Sequence, residues 1–408
     1  MSLPRPGRRA FGLLLGALLL FAAGTNGQAG WLFVLAALLL GAAVAGAILP
    51  AARINGVAVE RIAPSEAFQG SEARVKLIVL NRTRRAKGSL VVRDDHLATT
   101  TSWIPRLGPS ERVTIETTRR AARRGVMTGD EVRLSTGAPF GVAIATRKEQ
   151  ASCRTIVYPR VVRLRLASPT AKRADRQAVA AGLRRGLGQE FLSIRDYRVG
   201  DSMRHIHWPS TARMGAFMVR EFERQQSPTV GIFLDTSAEG GTENTPLDLA
   251  CSAAASIALA ALESGHDIEL AAARAAGVER HLGRDRGEVL RWLAGLQADF
   301  TLPAGAALRG AVPFLARCDS AVLALPTWRT AADAAEPASA LMAAGVPVAV
   351  ILIDVNTFDP DRSRPPTLSS NEIEDLEQAL ARSGIRLCRV GTDGDLASSL
   401  EAALAGLR

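Results

Sequence analysis

A chain of 408 residues and 43.2 kDa is too long for one ordinary domain and ample to bury a core, and its 47% hydrophobic and 22% charged residues exclude a disordered or collagen-like protein. Its four cysteines, Cys153, Cys251, Cys318 and Cys388, are far apart, which excludes a disulfide-stapled module and leaves no CxxC spacing for structural zinc. The net charge of +10 favours an anionic neighbour, nucleic acid or phospholipid, while an aromatic share of 5% argues against a platform that stacks single strands.

Two apolar runs open the chain. Trp31 to Pro50 holds 20 residues without a charge, enough to cross a bilayer. Ala10 to Ala23 holds 14, and spans only if the Gly24 to Gly27 stretch lies at the headgroups or the bilayer thins. A cleaved signal peptide would also begin with arginines and a short apolar run. The second run favours a transmembrane helical hairpin over residues 1–53, joined by the loop GTNGQAG. Arg5, Arg8 and Arg9 precede it, Arg53 and Arg61 follow it, and the loop has no basic residue, which predicts an N-in, C-in topology in the inner (cytoplasmic) membrane. The bulk of the chain is then cytoplasmic, consistent with sparse, unpaired cysteines.

Residues 56–150 read as a small β-sandwich. VKLIVLN, SLVVRD and RVTIETT are β-branched, partly alternating segments separated by turn signals. Arg82, Arg84, Arg85, Arg119, Arg120, Arg123 and Arg124 make this part basic. They read either as a solvated face or as contacts to anionic lipid, where each basic residue adds about 1 kcal/mol. No recognition helix, zinc finger or RNP-like motif supports nucleic-acid binding. Residues 151–187 read as a basic linker.

Residues 188–227 form a dense motif segment, beginning GQEFLSIRDYRVGDSMRHIHWPSTAR, in which acids, bases and aromatics interleave without helix or strand period. Such a stretch predicts ion pairs that pin a loop, or a docking surface, and arginine suits both. Arg195, Asp201, Arg204 and Arg213 are expected to pair and hold the segment against the following domain, with Trp208 as a packing anchor. His205 and His207 could share a strand face as metal ligands, but no third ligand lies nearby.

The motif resembles that of the domain-of-unknown-function family fifty-eight, through Gly188, Glu190, Phe191, Arg195, Tyr197, Gly200, Asp201, Arg204, Ile206, Trp208, Ala212 and Arg213. Pro209 departs from the family's basic residue there. Upstream, RRGVMTGDEVRLSTGAPFGV is similar to the family's R-R-G … D-P-F-G-L element, with Ala138 in place of the Asp. The resemblance implies a membrane-tethered bacterial protein that works with a MoxR-type AAA+ ATPase.

From 228 to 408 apolar strands alternate with helices, which predicts a doubly wound α/β domain. TVGIFLDTS is a buried strand, and PLDLACSAAASIALAALES an Ala-rich helix bounded by Asp248 and Glu263 rather than a third span. Ligands bind such sheets beyond the carboxyl ends of the strands. Asp235-Thr236-Ser237 lies there and is similar to the start of the metal-ion-dependent adhesion site of von Willebrand factor A domains, where Asp and Ser oxygens hold Mg²⁺. Glu239 stands where that pattern has a second Ser, and SAVLALP lacks its later Asp, so the expectation is a crevice at Asp235 and Ser237 with weak Mg²⁺ binding or none, and no other cofactor. No GxxxxGK[ST], HExxH or GxSxG occurs. The reading is a non-enzymatic, membrane-anchored scaffold or adaptor that docks a MoxR-type ATPase or a client in assembly or cell-envelope work. An envelope enzyme with its site in residues 188–223, or a basic nucleic-acid-binding protein, are the alternatives.

Overall fold

The structure, a computed structural model, describes residues 5–6, 8–164, 191–198, 203, 206–222, 228–237, 245–299, 301–358 and 367–405. The short strand β1 (Arg5–Pro6) leads into two antiparallel apolar helices, α1 (Arg8–Gly27) and α2 (Gly30–Ile54). Helix α1 runs on through the segment expected to be a loop, and only Gln28 and Ala29 connect the pair. Two contacts explain this. Thr25 donates its hydroxyl to the Ala22 carbonyl (2.7 Å), and a Cβ on Gly24 would lie 3.2 Å from the Phe33 ring, so the small residues serve close helix packing. At 20 residues α1 is about 30 Å long and needs no thinned bilayer. Large apolar side chains such as Phe11, Leu18, Trp31 and Leu38 stand exposed along both helices, far more than a water-facing surface carries.

Helix α2 does not end in a linker. Ile54 is buried in the core of the next domain beside Val57, Leu77 and Val79. That domain is a sandwich of two sheets. The smaller has β2 (Val57–Ile62), β4 (Glu72–Asn81) and β7 (Arg112–Arg120) in the order β2-β4-β7. The larger has β5 (Lys87–Asp94), β6 (Thr100–Leu107), β8 (Gly125–Thr136) and β9 (Ala143–Tyr158) in the order β1-β9-β8-β5-β6, with β3 (Glu66–Phe68) also on β9. In β4 the sequence EARVKLIVLN points Ala73, Val75, Leu77 and Val79 inward and Arg74 and Lys76 outward, the period that half-buried strands impose. Strand β9 reaches Tyr158, past the expected boundary at 150, and residues 159–164 follow it against the C-terminal domain, so the part of the supposed linker up to 164 is structural. The remainder, 165–187, lies outside the described residues.

The arginines divide in a way their clustering did not predict. Arg61 and Arg119 are wholly buried on either side of an equally buried Asp94. Arg61 donates to Asp94 Oδ1 and Oδ2 (2.5 and 3.1 Å) and to the carbonyls of Gly129 and Ala151. Arg119 donates to Asp94 Oδ2 (2.7 Å) and to the His96 carbonyl (2.8 Å). Burial opposes ionisation of Asp94, but the hydrogen bonds from Arg61 and Arg119 outweigh it and hold the carboxyl below the usual carboxylate range.

The C-terminal sheet has the order β14-β13-β12-β15-β16-β17. Strands β12 (Thr229–Leu234), β13 (Asp267–Arg274), β15 (Ser320–Pro326), β16 (Val348–Ile353) and β17 (Arg386–Val390) are parallel. The edge strand β14 (Gly277–Gly283), not predicted from the sequence, is antiparallel. Ile232 and Leu234 enter the core on one face of the sheet and Phe233 that on the other. Between β10 (Phe191–Asp196) and β11 (Met218–Phe222), which form a two-stranded sheet, lies the short helix α3 (Trp208–Met214). Helices α4 (Pro246–Glu263), α5 (Arg286–Gly295) and α9 (Leu396–Leu404) cover one sheet face, and α6 (Ala304–Leu315), α7 (Ala335–Ala343) and α8 (Ser370–Arg382) the other. Helix α4 is apolar enough to span a membrane but is 78% buried, against 11% and 17% for α1 and α2, so its apolar surface belongs to the core.

Both globular parts meet at Arg124, whose side chain is 4% exposed. Its Nε donates to Asp248 Oδ1 in the first turn of α4 (3.1 Å), and Nη1 donates to the carbonyls of Leu293 and Leu296 at the end of α5 (2.6 and 2.8 Å). Tyr158 and Leu164 join the α4 core, and Val162 N donates to Ser256 Oγ (3.0 Å).

The buried triad predicts an acid-sensitive sandwich. A depressed carboxyl contributes stability above its unfolded pKa of about 3.9 that is lost as pH falls through the folded value. Asp94→Asn should cost about 3–5 kcal/mol at neutral pH, because two buried guanidinium groups lose their counter-charge. It should also flatten the acid limb of a melting curve recorded from neutral pH downward. A variant as stable as wild type, with the same acid limb, would contradict the assignment.

Candidate functional site at the strand ends and in the signature hairpin

Asp235, Thr236 and Ser237 follow β12 at the carboxyl edge of the sheet, where the sequence places them. They are enclosed rather than set in a crevice, at 0%, 0% and 1% exposure. Asp235 N donates to the Ala324 carbonyl of β15 (3.0 Å), Asp235 Oδ1 accepts from Ser237 N (2.9 Å), and Thr236 Oγ1 donates to the Ala273 carbonyl (2.5 Å). Among the described residues Asp235 Oδ2 and Ser237 Oγ have no hydrogen-bond partner, and neither does Trp328 Nε1 just beyond the end of β15. Burial pushes the Asp235 carboxyl up to about 6, with the hydrogen bond from Ser237 N pulling the other way.

The neighbouring acid is already engaged. Asp354, after β16, accepts from Arg389 at 2.6 Å, and its other oxygen accepts from Asn356 N. Thr245 is the N-cap of α4, in a reciprocal capping box with Asp248, and so is not a ligand. Glu239 and Thr242 lie outside the described residues. Among the described residues no group of three or more His, Cys, Asp or Glu could hold a metal. Asp235 is enclosed at the strand ends, with Oδ1 already accepting from Ser237 N. Trp328 escaped the sequence reading, although a tryptophan two residues past a buried strand was a usable signal.

The motif segment builds a hairpin of its own. Arg195 lies in β10 opposite Val219. Tyr197 N donates to the Phe217 carbonyl (2.8 Å), and the two rings meet edge to face at 6.2 Å. His207 N donates to the Met218 carbonyl, Met218 N to Thr211 Oγ1 (3.0 Å), and the His207 Nδ1 and Ser210 Oγ atoms are 2.7 Å apart. Pro209 falls in the first turn of α3, where a missing N–H costs nothing, and Gly215 ends the helix at φ +67, a conformation glycine takes without strain.

Trp208, expected as a packing anchor, is 63% exposed, and Arg213 is exposed, while Asp201 and Arg204, its expected partners, lie outside the described residues. Among the hairpin's described side chains, Ile206, Met218 and Val219 are buried. Arg213 ends α3, where a cation complements the helix dipole. Met203, Met214 and Phe217 are exposed as well, at 69%, 69% and 52%. Glu190, Gly200, Asp201, Arg204 and His205 lie outside the described residues.

The molecule is thus a pair of apolar helices long enough to cross a membrane, a β-sandwich and a doubly wound α/β domain preceded by a small hairpin. Residues 193–318, the hairpin and the first half of that domain, match the family described as DUF58, protein of unknown function, which supports the resemblance read from the motif. No curated protein matches the chain. Among solved structures, a CARDB domain from Pyrococcus furiosus with di-metal ions is 15% identical with a TM-score of 0.17, covering 23% of this chain and 91% of its own. The Pseudomonas fluorescens alkylpurine DNA glycosylase AlkC is 10% identical with a TM-score of 0.16, covering 30% and 39%. A GH20 exo-β-N-acetylglucosaminidase from Vibrio harveyi is 10% identical with a TM-score of 0.18, covering 85% and 59%. Scores this low carry no argument about fold or function.

The enclosed acid has a pH signature opposite to that of Asp94. Its folded pKa stands above the unfolded value of about 3.9, so its contribution is full at low pH and lost as pH rises through about 6. Asp235→Asn should raise stability by about 2–3 kcal/mol above neutral pH and leave it unchanged near pH 4. A variant less stable than wild type at pH 8 would show that the carboxylate is held ionised by a partner.

Proposed function

We propose that the protein is a non-enzymatic, membrane-anchored docking protein of the inner membrane. Both termini are cytoplasmic, the α/β domain is von Willebrand factor A-like, and the partner is a MoxR-type AAA+ ATPase or its client in assembly or cell-envelope work. The observation that carries this reading is the exposed face of the motif hairpin, where Trp208, Met214 and Phe217 stand in solvent beside Arg213. Tryptophan, methionine and arginine are the residues enriched at interfaces, and a surface tryptophan in a tightly hydrogen-bonded hairpin is a rigid anchor for a partner. The ATPase itself is inferred from the family resemblance. The basic residues flanking the two helices support the orientation.

The test is co-purification from mild detergent of the MoxR-type ATPase made by the same cell, with tagged wild type and with Trp208→Ala. The ATPase should accompany wild type and fall at least about tenfold with the variant, as loss of a hot-spot side chain gives. Equal recovery with both, or none with either, would overturn the docking reading.

A further inference from the structure

The sandwich has a membrane end and a far end, and the strand pairing assigns residues to each. Helix α2 enters at Ile54, and the nearest backbone is the turn between β4 and β5. Arg82 N donates to the Gly56 carbonyl (2.8 Å) and Lys87 Nζ to the Asn55 carbonyl (2.8 Å). The turn between β8 and β9, residues 137–142, lies at the same end. Val142 fills the space a side chain on Gly46 would need, its Cγ2 only 2.6 Å from where a Cβ would stand. Gly46 lies within the apolar run Trp31 to Pro50, so at about 1.5 Å per residue Val142 sits some 6 Å inside its end. Arg9, in the first turn of α1, reaches Gly141, whose φ of +65 lets the turn close against it.

Two large apolar side chains at this end point away from the core. Phe140 is 49% exposed and Ile144 54%, one at the tip of the turn and one on the adjoining strand beside β1. Arg82, Arg84 and Arg85 project from the other turn, all exposed. Positive charge is crowded here: the Lys87 ammonium is depressed by burial and then by Arg85 and Arg53.

We propose that this end of the sandwich is a lipid-binding foot, in which Phe140 and Ile144 insert into the bilayer interface while Arg82, Arg84 and Arg85 bind anionic headgroups. The inference rests on α1 and α2 spanning the membrane, and it adds a third insertion point, made by a β-turn. A wedge beside the helix, with arginines at the headgroup level, fixes which face of the domain meets the membrane.

The full-length protein in nanodiscs tests this, with a nitroxide placed singly at Phe140→Cys, Leu38→Cys or Thr101→Cys and read by collision with oxygen and with a water-soluble nickel chelate. Leu38 lies mid-span and Thr101 at the far end of the sandwich. The label at 140 should favour oxygen over nickel as the label at 38 does, and should move deeper when phosphatidylglycerol is added to neutral lipid. The combined R82Q, R84Q and R85Q variant should lose that deepening. A label at 140 as nickel-accessible as that at 101, with 38 still in lipid, overturns the foot and leaves the anchor intact. Nickel access at 38 overturns the anchor itself. An insertion depth indifferent to anionic lipid overturns the arginine half of the proposal.

Discussion

One guanidinium group joins the two globular parts. Arg124 sits in the turn between β7 and β8 and places its donors on the last carbonyls of α5 and on the capping aspartate of α4. It satisfies two requirements at once. Carbonyls at a helix C-terminus lack intrahelical partners and attract a cation. Asp248, already bound to the N-cap of α4, needs a counter-charge once the interface covers it. Neither domain could bury its side of this contact alone, so the interface is part of the fold of both.

The consequence is a column with no free joint among its described parts. Helix α2 ends inside the sandwich core, and strand β9 runs from beside β1, at the end that receives α2, to Tyr158 at the interface with α4. The triad of Arg61, Asp94 and Arg119 ties β2, β5 and β7 across the two sheets near the far end. Among the described residues the strands of the motif hairpin join none of the larger sheets. Such a hairpin on a well-packed body would suit the docking role proposed above, because rigid anchors lose little entropy on binding.

Much of this plan was legible in the sequence. Hydropathy gave the two long apolar helices, alternation gave the inward residues of β4, and continuous apolar runs gave the parallel strands. What escaped was set by contacts between distant residues. The GTNG segment carries loop chemistry, yet close packing on Phe33 keeps it helical. Strand β14 carries Glu279, Arg280 and His281 on an edge with little apolar pattern, and its pairing with β13 alone defines it. The arginine-rich stretches read as exposed, but Arg61, Arg119 and Arg124 are buried by an acid or by helix-end carbonyls far along the chain. At the strand end, position was readable and environment was not: the turn after β12 fixes Asp235 at the carboxyl edge, while its enclosure depends on what the other strands bring.

The claim that the column is one unit can be measured directly. Spin labels at Thr101→Cys in the sandwich and Glu374→Cys in α8, with Cys153 and Cys388 replaced, report the distance distribution between the domains in the full-length protein. A single narrow distribution in wild type that broadens in Arg124→Ala is the predicted result. A broad distribution already present in wild type, unchanged by the substitution, would contradict it.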